Sequence, residues 1–152
     1  MSLFDTSQHP SHVELFQRVD ASFVRQGLMR HWGARLLRVE HGLCEVVLPY
    51  SEKVTQQQGG FHGGAMGALA DIAAGYAGLT VAPAGMEVTT VEYKINFLAA
   101  FQGGELRAVG RVLKAGKRLI ITAADVKHVA ADGKMTDCAV MQQTLMAVPQ
   151  SY

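Results

Sequence analysis

Between Lys53 and Glu87 a single residue of the Asp, Glu, Lys and Arg set occurs, Asp71, among Ala, Leu, Ile and Gly. An ionised carboxylate in apolar surroundings costs on the order of several kcal/mol unless it is paired or wetted. Asp71 therefore has either a chemical role or a place on a helix face that reaches solvent, and periodicity leaves both open. Just upstream, Gln56-Gln57-Gln58-Gly59-Gly60-Phe61-His62-Gly63-Gly64 leads into the same segment. A glycine-rich loop entering a helix presents amides with no intrahelical acceptor, and the helix dipole adds about half a positive charge there. Such an end can hold an oxyanion; equally, the glycines can serve only to let the helix pack closely. Gly63 and Asp71 are eight residues apart, roughly 12 Å along a helix at about 1.5 Å per residue. They cannot serve one carbonyl within a subunit, so a site using both must draw the amide from one chain and the carboxylate from another.

The elements that must position these residues follow from hydrophobic periodicity. Val13, Leu15, Phe16, Val19, Phe23 and Val24 recur at helical spacing, which predicts a first helix from Pro10 to about Gln26. Ala34 to Val39 and Leu43 to Leu48 read as two strands around a tight turn at Glu40-His41-Gly42, and Ser51 to Gly60 as a loop. His62 to about Leu79 is Gly- and Ala-rich on nearly every side, a buried helix ended by Pro83 and Gly85. Period two then predicts strands at Glu87 to Leu98, Gly104 to Leu113, Arg118 to Val129 and Met135 to Val148. Their turn signals are Gln102-Gly103-Gly104, Ala115-Gly116 and, strongest, Asp132-Gly133. With no βαβ alternation the class is α+β. A helix apolar all round needs partners on every side, so a curved antiparallel sheet should wrap it. The open edge of such a sheet favours pairing of sheets in a homodimer.

The 152 residues, 49% of them hydrophobic, bound the chain to one domain, 1-152, with about 1-10 as a flexible amino terminus. Fourteen Lys and Arg against 13 Asp and Glu leave no electrostatic footprint for nucleic acid or an anionic membrane. Met1 to Pro10 lacks a basic start and an apolar run, so no secretory signal is expected, and no run reaches the roughly 18 to 20 apolar residues of a membrane span. A cytoplasmic location follows by elimination. Cys44 and Cys138 lie in apolar strands without CxxC spacing or clustered histidines, which favours buried reduced thiols over a disulfide or a metal site. No metal or other cofactor is expected: GxGxxG and GxxxxGK[ST] are absent, and without GxSxG or a pattern of parallel strands a Ser-His-Asp hydrolase is disfavoured as well.

The run His62-Gly63-Gly64 followed by Leu69-Ala70-Asp71-Ile72-Ala73, with Asp71 nine residues after His62, resembles the signature of phenylacetate-degradation-type (PaaI-like) hotdog thioesterases. The likeness extends upstream through Gly59 and downstream through Thr90-Val91-Glu92-Tyr93-Lys94-Ile95-Asn96-Phe97-Leu98. It implies the hotdog fold and hydrolysis of an acyl-CoA thioester to a carboxylic acid and CoA, with sheets paired in a dimer and often two dimers in a tetramer. It casts Asp71 as nucleophile or general base and the Gly63 amide as the oxyanion donor of the opposite subunit. His62 would shape the loop, although a histidine at a helix start can simply bond to backbone. Gln56 stands where the family commonly has asparagine, and Thr90 where it often has serine or threonine near the carboxylate. Gly64, Phe61 and Asn96 fall within the matching stretches and are expected to bind substrate. Lys117 and Arg118, beside Gly116, fall near a turn that often meets the CoA phosphates.

Period two along the Thr90 strand groups Val91, Tyr93, Ile95 and Phe97 on one face and Thr90, Glu92, Lys94 and Asn96 on the other. A polar face lining the site is one outcome, a solvated face the other. Phe61, Met66, Leu69 and Tyr76 form a candidate wall for an aryl or medium-chain acyl group, or an ordinary part of the core. The rival readings are a module that binds acyl-CoA without turnover, against which the retained Asp71 argues, and a hydratase. The latter typically pairs aspartate with a histidine a few residues later, and here none follows before His128.

Overall fold

A computed structural model describes residues 10–152. The expected flexible terminus lies outside the described residues except for Pro10. Ser11 caps the first helix, α1 (His12–Phe23): its hydroxyl accepts from Glu14 N–H while the Glu14 carboxylate accepts from Ser11 N–H at 2.7 Å, a reciprocal capping box. The helix buries Leu15, Val19 and Phe23. The helical pattern expected up to Gln26 in fact breaks after Phe23, and a second short helix, α2 (Gly27–Trp32), follows and ends on Gly33 in the left-handed conformation, φ 72°.

The strands are β1 (Arg35–Glu40), β2 (Leu43–Pro49), β3 (Met86–Phe97), β4 (Glu105–Ala115), β5 (Leu119–Val129) and β6 (Met135–Pro149). Between β2 and β3 comes the long helix α3 (Gly63–Leu79), preceded by a single 3-10 turn, Glu52–Val54. All six strands pair antiparallel in the order β1-β2-β4-β5-β6-β3. The Ala115-Gly116 and Asp132-Gly133 turns join paired neighbours as expected. Gln102-Gly103-Gly104 does not: β3 pairs with β6, so this segment carries the chain across the sheet to a place between β2 and β5. A two-residue hairpin needs the strands to meet directly, whereas here residues 98–104 separate them.

One sheet and one helix make the core. α3 packs against β2, β3, β4, β5 and β6, so the sheet curves round it in the hotdog arrangement. Close approach is bought with glycine: a Cβ on Gly110 of β4 would overlap the Ala73 carbonyl of α3. α1 closes one end through Arg18, which donates to the carbonyls of Ala82, Pro83 and Met86 at 2.8–2.9 Å. Both cysteines are buried and unbonded to each other, with burial pushing the Cys44 thiol to about 12 and Cys138 to about 11. Among the described residues no helix is long and apolar enough to cross a membrane.

Candidate active site

Asp71 projects from the middle of α3, half-buried, with one carboxylate oxygen fully engaged. Its Oδ1 accepts from Thr90 Oγ1 of β3 at 2.7 Å and from Gln143 Nε2 of β6. Burial raises its pKa, and the bonds from Thr90 and Gln143 partly offset that rise. Thr90 reaches it because of a defect in the ladder. Thr90 opposes Leu145 and Glu92 opposes Thr144, which leaves Val91 as the extra residue of a β-bulge. The bulge reverses the side-chain alternation, so Thr90 shares a face with Tyr93 and Phe97, both of which lie against α3. The grouping of Thr90 with Glu92, Lys94 and Asn96 is therefore corrected. Those three face away from the helix, where Glu92 accepts from Thr144 and Asn96 from Lys94. Asn96, expected to bind substrate, stands on the opposite face of the sheet from Asp71.

Gln143 carried no sequence-based expectation, nor did Thr122 of β5, whose hydroxyl donates to Gln143 Oε1 at 3.0 Å. A signal was present. Ala139, Met141 and Leu145 of β6 are buried while Val140 and Gln142 are exposed, so alternation puts Gln143 on the inward face, an unusual place for a polar side chain.

The amino end of α3 forms a second group. His62 is the N-cap, its Nδ1 accepting from Gly64 N–H at 2.8 Å. Gly63 N–H meets no acceptor among the described residues, and the Phe97 ring lies over it, 3.3 Å from where a Cβ would stand. Gln56 closes its own loop: its backbone bonds Gly59 and Gly60 at 2.9 Å, and its side-chain oxygen accepts from Gln58 N–H. Phe61 is 2% exposed and packs edge-on to Tyr50 and His128, so it supports this loop from the core rather than opening onto a cavity. His128 stacks on Phe101, whose carbonyl accepts from Phe61 N–H.

Beside Asp71 lies a cavity of about 350 Å³ lined by Ser22, Gln26, Tyr76, Glu87 and Thr90, with Ile72, Gly75, Val88 and Thr89. Of the expected apolar wall only Tyr76 borders it, and through a network: Tyr76 Oη accepts from Gln26 at 2.8 Å and lies 3.1 Å from Ser22 Oγ, which donates to Glu87 at 2.8 Å. Met66 and Leu69 are core residues. Burial pushes the Tyr76 phenol to about 12, so it stays neutral. Lys117 and Arg118 border a different cavity with Met86, Ile120 and Met146, and it shares no lining residue with the first. Among the described residues no group of three or more His, Cys, Asp or Glu could hold a metal ion.

Within one chain the structure therefore brings Asp71 and Thr90 together at the middle of α3 and, at its amino end, His62, Gly63, Gly64 and Gln56. It does not join the two groups. This architecture and sequence have relatives. Residues 58–130 match the model of the thioesterase superfamily. A protein of Saccharolobus solfataricus named as a candidate esterase is 34% identical over 122 residues, 80% of this chain and 81% of that one. The crystal structure of a thioesterase family protein from Silicibacter pomeroyi superposes with a TM-score of 0.86 at 34% identity, covering 90% of this chain and 99% of that one. The PaaI protein of the Escherichia coli phenylacetic acid degradation operon shares the fold, with a TM-score of 0.79 at 20% identity over 92% of this chain and 97% of its own. By family match, identity and coverage, the chain belongs to the thioesterase superfamily, on a hotdog fold.

Proposed function

We propose that this protein hydrolyses a cytoplasmic acyl-CoA thioester to a carboxylic acid and CoA. The observation that carries the reading is Asp71: a half-buried carboxylate of raised pKa, bonded among the described residues through Oδ1 alone, at the wall of a cavity large enough for an acyl group. Its Oδ2 either takes a proton from water, whose oxygen adds to the thioester carbon, or attacks that carbon to form an anhydride that water then opens. In both routes the C–S bond breaks, CoA leaves as the thiolate, and the carbonyl oxygen carries the negative charge in between. The Gly63 N–H of a second subunit is the donor for that charge, backed by the α3 dipole.

The geometry of β3 supports this division of labour. Along β3, Thr90 lies against Asp71 while Phe97, seven residues on, lies over Gly63. β3 is a sheet edge, and Val91, Tyr93, Phe97 and Leu98 on or beside it are 43% to 55% exposed. An exposed apolar edge strand is a template for pairing. A two-fold axis near the middle of β3 would pair it antiparallel with its copy, setting the Thr90 end of one strand beside the Phe97 end of the other. Asp71 of one subunit then meets Gly63 of its partner, and the roughly 12 Å between them within a chain is bridged. Gln56, His62 and Gly64 shape the loop that presents the donor.

The cavity wall narrows the acyl group. The expected Phe61, Met66 and Leu69 are core residues, and Ser22, Gln26, Tyr76 and Glu87 stand in their place. Such a lining favours an aryl or medium-chain acyl group that carries a hydrogen-bonding substituent over a plain alkyl chain, whose burial would strand these polar groups. Lys117 and Arg118 remain candidates for the CoA phosphates.

The deciding experiment follows thiol release from a panel of aryl- and fatty acyl-CoAs by the wild type and by Asp71→Ala. Turnover that disappears in a folded Asp71→Ala variant is the expected result. Measurable acyl-CoA binding with no turnover across the panel would replace the hydrolase with a binding module.

A further inference from the structure

Gln143 is fully buried, at 0% exposure, in the middle of β6. A buried carboxamide with unmet bonding capacity is destabilising, and a leucine would fill the same inward position of the strand at no such cost. Its partners account for its presence. Nε2 donates to Asp71 Oδ1, and lies 3.0 Å from Thr90 Oγ1 and 3.5 Å from the Asp71 carbonyl; Oε1 accepts from Thr122 Oγ1 at 3.0 Å. Thr122 is likewise 0% exposed.

These bonds have one consistent arrangement of hydrogens. A carboxylate accepts only, so the amide nitrogen of Gln143 must face Asp71 and its oxygen must face Thr122. The single Thr90 hydroxyl proton goes to Asp71, so Thr90 Oγ1 is free to accept the second Gln143 hydrogen. Both donors meet at Oδ1, and no bond within the described chain reaches Oδ2, which is left for the cavity. We infer that Gln143, held in one orientation by Thr122, is the positioning residue that clamps Asp71 through Oδ1 and presents Oδ2 to the substrate. The inference rests on the reading of Asp71 as the reacting carboxylate.

The clamp also acts on ionisation. Burial raises the Asp71 pKa, and Thr90 and Gln143 work against it by bonding the charged form. The other titratable groups about Asp71 are Tyr76 on α3 and Glu87 on β3, which line the same cavity, and Tyr93 on β3, which faces the same helix. The cavity receives Ser22 from α1 and Gln26 from the N-cap of α2, and β5 and β6 set Thr122 and Gln143 behind Asp71, all uncharged. Removing Gln143 therefore moves the Asp71 midpoint upward.

The test uses Gln143→Leu, Thr122→Val and Thr122→Ser in the full chain. Two readouts are taken: kcat and KM against pH by thiol release, and the Asp71 carboxyl titration by carbon-13 NMR, assigned by its loss in Asp71→Asn. Gln143→Leu should lower kcat about 10- to 100-fold, as expected for losing a hydrogen bond to a charge, with KM little changed. Its Asp71 midpoint and the acid limb of kcat should both move to higher pH. Thr122→Val should move both in the same direction by less, and Thr122→Ser should restore them. A folded Gln143→Leu protein with an unmoved Asp71 midpoint overturns the inference, whatever its kcat, since a packing role would leave the titration alone. Should Gln143→Leu fail to fold, an unmoved midpoint in Thr122→Val does the same. The NMR titration needs no substrate, so it can uphold or sink the clamp even if the wild type turns over no acyl-CoA.

Discussion

Thr90 donates to Asp71 Oδ1 over 2.7 Å because Val91, inserted as a bulge one residue later, turns Thr90 to the helix side of the sheet. Without that extra residue, Thr90 would point with Glu92 and Lys94 to the opposite face, since strand side chains alternate strictly. Thr90→Val keeps the shape and removes the donor. Turnover of a responsive acyl-CoA should fall about 10-fold or more, the effect of one hydrogen bond to a charged group, while Thr90→Ser keeps most of it. Equal rates in Thr90→Val and wild type would remove Thr90 from the site.

Asp71 couples activity and stability with opposite signs. Its pKa is raised in the folded state, chiefly by burial, so its contribution to stability is present at low pH and lost as pH rises through the folded value. At neutral pH the ionised carboxylate is thus a net cost relative to a neutral isostere. Asp71→Asn keeps an Oδ1 that accepts from Thr90 and Gln143. It should melt above the wild type at pH 7, and the gap should close as pH falls below the ordinary aspartate value of 3.8. Its thioesterase turnover should drop by about two to four decades, the share usually supplied by a positioned base. Calorimetry at the two pH values reads the first effect, and a lower melting point for the variant at pH 7 would contradict it.

Two glycines separate close packing from open space. A Cβ at Gly110 would overlap the Ala73 carbonyl where β4 crosses α3, whereas a Cβ at Gly75 would meet nothing within 4 Å. Gly110→Ala should cost at least about 3 kcal/mol by forcing strand and helix apart. Gly75→Ala should gain roughly 0.5–1 kcal/mol, because alanine loses less freedom in a helix interior. Urea unfolding of both variants decides, and a mild effect at Gly110 would mean that the sheet can shift away from α3.

How far these features were legible depends on whether their causes are local. The buried helix and its lone carboxylate could be read because one charge in a long apolar stretch is a local anomaly. The fold followed from element order and from the need to cover that helix on all sides. The Val91 bulge could not be read: Thr90-Val91-Glu92-Tyr93-Lys94-Ile95-Asn96-Phe97 alternates polar and apolar without a break, so the pattern carries no mark of the extra residue, and on an edge strand the apolar Val91 stays exposed. β3 pairs with β6 rather than β4 through contacts distant in sequence, and the Gln102-Gly103-Gly104 signal marks a turn without saying what it joins. Helix α2 was hidden by its six-residue length and by Gly27, which reads as a terminator. Gln143 lay within reach, since alternation along β6 points it inward, but its partner Asp71 is 72 residues away.

The proposed shared site can be tested through the one backbone group it requires. Gly63 is the first residue of α3, where proline is well tolerated because that N–H has no intrahelical acceptor. The preceding His62, at φ −68° and ψ 137°, already has the extended conformation that a following proline demands. Gly63→Pro thus deletes the amide hydrogen, and Gly63→Ala controls for added bulk near the Phe97 ring. Relative to Gly63→Ala, the proline variant should lose about two to three decades of turnover, the usual loss for one oxyanion donor. Asp71→Ala and Gly63→Pro chains can then be mixed after unfolding and refolded together. Random pairing makes half of the dimers hybrids, and each hybrid holds one site with an intact Asp71 from one chain and an intact Gly63 from the other. Activity should return to about one quarter of wild type, far above either parent. If carboxylate and amide belonged to one chain's site, every subunit in the mixture would carry a defect and activity would not return.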